Sequence, residues 1–138
     1  MARLRVVAVL ALVGIGAVHL NLYARQNYRY IPTIGALFLF TVIVAFVLAA
    51  ALAVRAHWTL AVIGAGFALS TLAGYVWSLT DSAGLFEFHE PGISYSGAAS
   101  IALEAIAGLA LLAWVGLDRR HRDRPRTGAT LRTRGGTG

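Results

Sequence analysis

Four long apolar runs divide this chain, and short polar segments separate them. The runs cover about residues 4–23, 34–54, 59–80 and 96–117. Each has the length of about twenty residues that an α-helix needs to cross the hydrocarbon core of a bilayer. Because backbone polar groups in lipid must be satisfied within the segment, the runs predict helices and not strands. The fold class is therefore an all-α membrane protein, an antiparallel bundle of four transmembrane helices.

The overall composition supports this interpretation and excludes several classes of protein. Hydrophobic residues make up 58% of the chain and charged residues 13%, whereas a soluble domain carries about 25% charged residues. The absence of cysteine excludes disulfide scaffolds, thiolate metal sites and cysteine nucleophiles. A cleaved signal peptide is the alternative for the first run, but that run is long for a signal and no cleavage motif follows it, which favours a retained helix.

The arginines predict the orientation of the bundle. With both termini in the cytoplasm, ten of the twelve basic residues lie inside, and only Arg25 and Arg29 lie outside. This distribution follows the positive-inside rule and predicts a multi-pass protein of the plasma (cytoplasmic) membrane. The exclusive use of arginine, with many alanines and glycines, is typical of a bacterial chain. Residues 118–138 form a basic tail without apolar periodicity, which predicts disorder and attraction to anionic lipid headgroups. The tail lacks interleaved aromatic residues, so nucleic acid is not a predicted partner.

Three polar residues within the apolar runs form a candidate intramembrane site. Glu104 lies eight residues into the fourth run, Ser100 lies one helical turn before it, and His19 lies near the outer end of the first run. Ionisable groups inside a membrane are costly and are functional candidates for that reason. The alternative is that the three side chains hydrogen-bond to one another and hold the helices together.

The acidic outer loop, residues 81–95, contains a second candidate site. Glu87, His89 and Glu90 lie within four residues of one another. Imidazole together with carboxylate suits zinc, copper(II) or iron, and a metal site shared with His19 and Glu104 is one interpretation. The spacing matches no established metal motif, and a solvated loop is the alternative. No cofactor is predicted, and a metal ion or a quinone remains the alternative.

Small residues recur at four-residue spacing and predict where helices pack. In the third run they are Gly66, Ser70, Gly74 and Ser78, and Gly108 extends the corresponding face of the fourth run. Such stripes let helix backbones approach closely in lipid. We therefore expect a packing seam on this face of the third helix, the alternative being a groove for a ligand.

A set of residues spread over most of the chain forms a familiar pattern. It consists of Gly16, His19, Leu20, Tyr28–Gly35, Leu37–Leu39, Gly74, Tyr75, Ser78, Leu79, Gly84–Phe86, Phe88, Glu90, Pro91 and Glu104. These segments resemble a group of uncharacterised four-helix integral membrane proteins of actinobacteria. The resemblance covers about residues 5–117 and implies a four-helix fold, with no activity attached to it. A likeness to DoxX-type membrane proteins rests on size and span count.

The function predicted from these features is that of a non-enzymatic membrane protein. No Ser/His/Asp arrangement is evident, and the glycine pairs lie inside apolar runs rather than in phosphate-binding loops. An accessory subunit or a self-associating bundle agrees best with the small-residue stripes, so a membrane-protein partner or a second copy is expected. The alternatives are a redox- or metal-linked protein with an outer-side site, and proton-coupled transport through an oligomer.

Overall fold

The computed structural model describes residues 2–89 and 91–122, and this part of the chain is all-helical. It contains α1 (Ala2–Arg25), a single 3₁₀ turn (Tyr28–Tyr30), α2 (Ile34–Val54), α3 (Trp58–Thr80) and α4 (Tyr95–Arg122). All four α-helices are long and apolar enough to cross a membrane. The predicted four-helix membrane bundle is thus confirmed.

Helix α4 extends beyond the end that the sequence predicted. The apolar run stops at Leu117, but the helix continues through Arg122. Basic side chains are favourable in the last turn of a helix, where they face the negative end of the helix dipole. Part of the predicted tail is therefore helical, and residues 123–138 lie outside the described part of the chain.

Local hydrogen bonds explain where the later helices begin. The Oγ atom of Ser94 accepts a hydrogen bond of 3.0 Å from the backbone N–H of Gly97, so Ser94 is the N-cap of α4. The Nδ1 atom of His57 accepts a hydrogen bond of 3.3 Å from the N–H of Thr59 and caps α3 in the same way.

The helices are arranged in the order α2, α1, α4, α3 around the bundle. Helix α1 packs against α2 and α4, α3 packs against α4, and α2 and α3 have few contacts with each other. The side chain of Arg5 donates to the carbonyl of Ala53 at one end, and Gln26 donates to Ser96 at the other. These bonds place the N-terminus of α1 beside the end of α2, as an antiparallel bundle requires.

The apolar core occupies only one half of the bundle. Its residues come from the first half of α1 and α3 and from the second half of α2 and α4, and many are alanines. Small side chains allow close helix contact in lipid, where no hydrophobic drive between helices exists. The core consists of Ala8, Ala11, Leu12, Ile15, Ala45, Leu48, Ala49, Leu52, Ala61, Ala65, Ala68, Ala107, Ala110, Leu111, Trp114 and Val115.

The packing seam of α3 differs from the predicted one. The buried face carries Ala61, Gly64, Ala65 and Ala68, whereas Gly66 has open space around its Cβ position. Helix α3 turns its alanine face toward α4, which leaves the predicted stripe on another side. The expectation that Gly66, Ser70 and Gly74 form the main seam within the chain is therefore wrong.

Two members of the predicted set do lie in buried positions. Gly108 of α4 is buried, and a Cβ atom there would lie 3.2 Å from the Leu69 side chain of α3. Ser78, at the outer end of α3, is also buried. Close contact between α3 and α4 thus depends on Gly108, on Gly64 and on alanines rather than on Gly66 and Gly74.

The outer loop is closed by its own hydrogen bonds. Leu85 and Phe88 exchange two backbone hydrogen bonds of 2.9 and 3.0 Å, and the residues between them, Phe86 and Glu87, both have positive φ angles, 51° and 64°. Positive φ at both central residues is the character of a type I′ turn. His89 donates through Nδ1 to the carbonyl of Asp81 at 3.1 Å, which joins the end of the loop to its start.

Gly35 provides a test of the contact between α2 and the 3₁₀ turn. A Cβ atom at this position would lie 2.9 Å from the carbonyl oxygen of Arg29 and 3.0 Å from that of Tyr28. Backbone atoms cannot move aside cheaply, so we expect Gly35→Ala to lower the free energy of unfolding by about 1–3 kcal/mol. Thermal unfolding in detergent, followed by circular dichroism, measures the change.

The matched control is Gly66→Ala, because this glycine is also within a helix but has open space around it. Alanine is the better helix former, by up to about 1 kcal/mol. We expect this variant to be as stable as the parent or more stable. An equal rise in melting temperature for both variants would contradict the close approach at Gly35.

Candidate functional site

Glu104 lies at the centre of the candidate site, and its carboxyl group is completely buried. The exposed fraction of the residue is 0%. The hydroxyl of Ser100, one turn earlier on α4, donates a hydrogen bond of 2.9 Å to Oε1. Residues four apart on a helix are neighbours on one face, so the sequence spacing alone explains this contact.

His19 faces Glu104 from α1. Its side chain is buried, and Nδ1 lies 3.0 Å from the carbonyl oxygen of Ile15. A carbonyl oxygen only accepts, so Nδ1 carries the proton and Nε2 of the neutral ring has a free lone pair. Nε2 lies 3.9 Å from Oε1 of Glu104, within ion-pair range but too far for a direct hydrogen bond.

The second carboxyl oxygen of Glu104 has no hydrogen-bond partner among residues 2–89 and 91–122. A buried polar atom without a partner is costly, by about 1–3 kcal/mol. Native structures contain few such atoms, and each calls for an explanation. The structure thus brings together all three residues of the predicted intramembrane site and leaves one oxygen of the site with an unused hydrogen-bonding capacity.

A cavity of about 350 Å³ lies beside these polar groups. Its position is in the half of the bundle that the apolar core does not fill. All four helices, the 3₁₀ turn and the outer loop contribute to its lining, and most of the lining side chains are aliphatic or aromatic. The lining residues are His19, Leu22, Tyr28, Ile34, Leu37, Phe38, Phe40, Thr41, Phe67, Ser70, Thr71, Gly74, Tyr75, Ser78, Leu85, Phe86, Phe88, Ser94, Gly97, Ser100 and Glu104.

The cavity reaches the protein surface between α2 and α3. These two helices have few contacts with each other, and their exposed lining residues are Leu37, Phe40 and Ser70. Phe86 and Ser94 of the outer loop are also exposed and belong to the rim. The opening therefore runs along the sides of two membrane-spanning helices and extends to the outer loop.

An aromatic wall separates the polar groups from the outer end of the bundle. The ring of Phe38 lies 5.0 Å from the His19 ring and 4.9 Å from the Tyr28 ring. Tyr28 in turn meets Phe88 of the outer loop edge to face, at 5.7 Å. Such ring pairs stabilise a packed arrangement by about 0.5–1.5 kcal/mol each.

The serine and threonine hydroxyls with which α3 lines the cavity donate within their own helix. Ser70 and Thr71 donate to the carbonyl of Phe67, and Ser78 donates to that of Tyr75, each at 2.8 Å. Ser70, Gly74 and Ser78 of the predicted stripe line the cavity, whereas Gly66 does not. The small side chains of α3 thus provide space, and the ligand groove stays a prediction.

Glu87 and His89, the described members of the outer-loop set, do not join the intramembrane pair in a metal site. Glu87 is exposed, and His89 is exposed and hydrogen-bonded to Asp81. In the described part of the chain, no group of three or more His, Cys, Asp or Glu residues is arranged to hold a metal ion. Glu90 lies outside the described residues. The loop contributes Leu85, Phe86 and Phe88 to the cavity instead.

Sequence reasoning missed most of the cavity wall. Tyr28, Phe38 and Phe88 are separated widely along the chain, and nothing in their spacing shows that they meet. Only a weak signal for the cavity was present in the sequence. Thr41 and Thr71 interrupt apolar runs within the membrane-spanning part, where polar side chains face the protein interior or a cavity.

The Ser100 hydroxyl is expected to stabilise the fold through Glu104. In Ser100→Ala the carboxyl group loses its donor, so we expect the free energy of unfolding to fall by about 1–3 kcal/mol. Ser70→Ala is the control, because the Ser70 hydroxyl bonds only within its own helix and its loss should change stability by less than about 0.5 kcal/mol. Thermal unfolding in detergent compares the two, and equal effects would argue against the buried bond.

Comparison with known proteins adds no family to this description. No family model, no curated protein and no solved structure matches the chain. The resemblance to four-helix actinobacterial proteins stays an expectation from the sequence.

Proposed function

We propose that this protein is a non-enzymatic membrane protein that binds an amphiphilic small molecule taken from the bilayer. The observation that carries the proposal is the cavity between α2 and α3, with the Glu104 carboxyl group at its buried end. Ligand sites are typically clefts of about 300–1,000 Å³, mainly apolar with a few well-placed polar groups. This cavity agrees with that description in volume and in lining.

The position of the opening supports a ligand that dissolves in lipid. The gap between α2 and α3 faces the region that the hydrocarbon chains occupy, and the outer loop covers the end of the cavity nearest the aqueous phase. The turn at Phe86 and Glu87 is closed by backbone hydrogen bonds, and Phe86 and Phe88 close the cavity from above. A water-soluble ligand would meet this loop first, whereas a lipid-like molecule reaches the opening directly.

The polar end of the ligand is expected at Glu104 and His19. Their side chains are buried within the membrane-spanning part, and Oε2 of Glu104 lacks a partner in the described structure. A ligand that pairs with this oxygen removes the cost of leaving it unsatisfied. The aromatic wall of Tyr28, Phe38 and Phe88 then packs against the apolar part of the ligand.

The proposed orientation places this cavity in the outer half of the plasma membrane. Helix α1 begins, and α4 ends, at the same end of the bundle, where Arg3, Arg5, Arg55, Arg119 and Arg120 also lie. The cavity lies toward the opposite end, beside the connector with Arg25 and Arg29. The positive-inside rule assigns the arginine-rich end to the cytoplasm.

Filling the cavity is expected to reduce ligand binding. Gly74 lines the cavity, and a Cβ atom there would make an ordinary contact of 3.5 Å with Leu85. The larger side chain of Gly74→Leu should displace about two methylene groups of the ligand, each worth about 0.8 kcal/mol, and weaken binding about tenfold.

Two photoreactive probes measure this binding. Each is a hexadecyl chain that carries a diazirine, and one ends in a hydroxyl group while the other ends in a methyl ether. Saturable photolabelling in nanodiscs, mapped by mass spectrometry, measures their binding.

Gly66→Leu is the matched control, since Gly66 lies on the same helix, two turns away, and has open space around it. This variant should bind both probes like the parent protein. The proposal is refuted if neither probe labels the segments that line the cavity in the parent protein, or if both leucine variants label equally.

The orientation is testable by cysteine labelling, because the chain has no cysteine of its own. Glu87 and His121 are exposed at opposite ends of the bundle. In intact bacterial cells, a membrane-impermeant maleimide should modify Glu87→Cys and should reach His121→Cys only after permeabilisation. The reverse pattern would place the cavity in the cytoplasmic half.

A further inference from the structure

From the hydrogen-bonding groups in the cavity, we infer that the polar end of the ligand is a single hydroxyl group, of an aliphatic alcohol or a phenol. This hydroxyl bridges Oε2 of Glu104 and Nε2 of His19. The inference rests on the proposed function, since it concerns the ligand of the same cavity. The chemical class of that ligand follows from the hydrogen bonds that Nε2 of His19 and Oε2 of Glu104 can still form.

The hydrogen bonds within the protein fix one atom of each side chain. Nδ1 of His19 donates to the carbonyl of Ile15, and Oε1 of Glu104 accepts from Ser100. Nε2 and Oε2 are the atoms that remain for a ligand. Nε2 lies 3.9 Å from Oε1 of the same carboxyl group, a gap too wide for a direct hydrogen bond. We place the hydroxyl oxygen between the imidazole and the carboxyl group, where it bonds to Nε2 and Oε2.

A hydroxyl group suits both arrangements of the proton shared by His19 and Glu104. When both side chains are neutral, Oε2 donates to the hydroxyl oxygen, and the hydroxyl proton goes to Nε2. When the proton is on the imidazole, Nε2 donates to the hydroxyl oxygen, and the hydroxyl donates to Oε2. A hydroxyl is both donor and acceptor, so each arrangement leaves both atoms of the protein satisfied.

Other polar groups leave one of these atoms without a partner or bring a charge into the cavity. A carbonyl or ether oxygen only accepts, so it never donates to Nε2 or to an ionised Oε2. An ammonium group donates to both atoms, but it carries a positive charge into a mainly apolar cavity, which is costly. A carboxylate or phosphate brings negative charge next to Glu104. The hydroxyls of Ser70, Thr71 and Ser78 offer such an anion no proton, because they donate within their own helix.

The test compares ligands that differ only at the polar end. Parent protein in phosphatidylcholine nanodiscs is photolabelled with the hydroxyl-ended diazirine probe, and hexadecanol, hexadecyl methyl ether, hexadecylamine and dodecylphenol compete for the cavity. We expect the alcohol to compete at about tenfold lower concentration than the ether, the gain of one buried hydrogen bond. The phenol distinguishes an aromatic from an aliphatic source of the hydroxyl.

His19→Phe tests the role of Nε2 directly. The substitution keeps a ring beside Phe38, 5.0 Å away in the parent, and removes the acceptor. We expect the preference for alcohol over ether to fall to about one, while labelling of the cavity by the ether-ended probe persists. His121→Phe, at an exposed site outside the cavity, is the control and should keep the preference of the parent.

The outcomes separate this inference from the proposed function. Equal competition by alcohol and ether in the parent protein, or tighter competition by the amine, overturns the hydroxyl and leaves the binding cavity standing. Failure of both photoprobes to label the cavity overturns the proposed function itself. The comparison in the parent protein needs no variant, so it decides the matter even if His19→Phe does not fold.

Discussion

The contact between α1 and α4 holds a histidine and a glutamate against each other in a solvent that cannot hydrogen-bond to either. Water would satisfy both groups at little cost, but hydrocarbon leaves their satisfaction to the protein. Ser100 and the carbonyl of Ile15 supply one partner each. Oε2 of Glu104 is left without a partner among the described residues, and the proposed function rests on this oxygen, because an all-apolar contact would hold the two helices together without it.

The two halves of the bundle differ in how closely their helices pack. In the half with the arginine-rich ends, alanines on every helix allow close approach, and the interior is filled by residues such as Leu12 and Leu111. In the other half, α2 carries phenylalanines while α3 carries glycine and serine, and these helices stay apart. The packed half holds α1 and α4 in register. His19 and Glu104 therefore keep their positions, although no side chain fills the cavity beside them.

Hydropathy and arginine content were enough to predict the helices, since hydrocarbon imposes strict length and charge requirements on any segment that crosses it. The contact between Ser100 and Glu104 was also predictable, because it follows from helical spacing. The face of α3 that packs against α4 was not predictable. Gly66, Ser70 and Gly74 recur every four residues, but Ala61, Ala65 and Ala68, at spacings of four and three, also share one face of the helix, and only the partner helix determines which face is buried. Contacts between distant segments, such as Tyr28 with Phe88, have no local signal.

Under the proposed function, the separation of α2 from α3 also determines which supply of ligand reaches the cavity. A binding site that opens sideways equilibrates with molecules dissolved in the surrounding leaflet, so its occupancy follows their mole fraction among the lipids and not their aqueous concentration. Ligand binding then follows mass action, with the ligand concentration measured within the leaflet. Even a weakly held molecule saturates such a site once it is an abundant component of that leaflet, and changes in lipid composition alone fill or empty it.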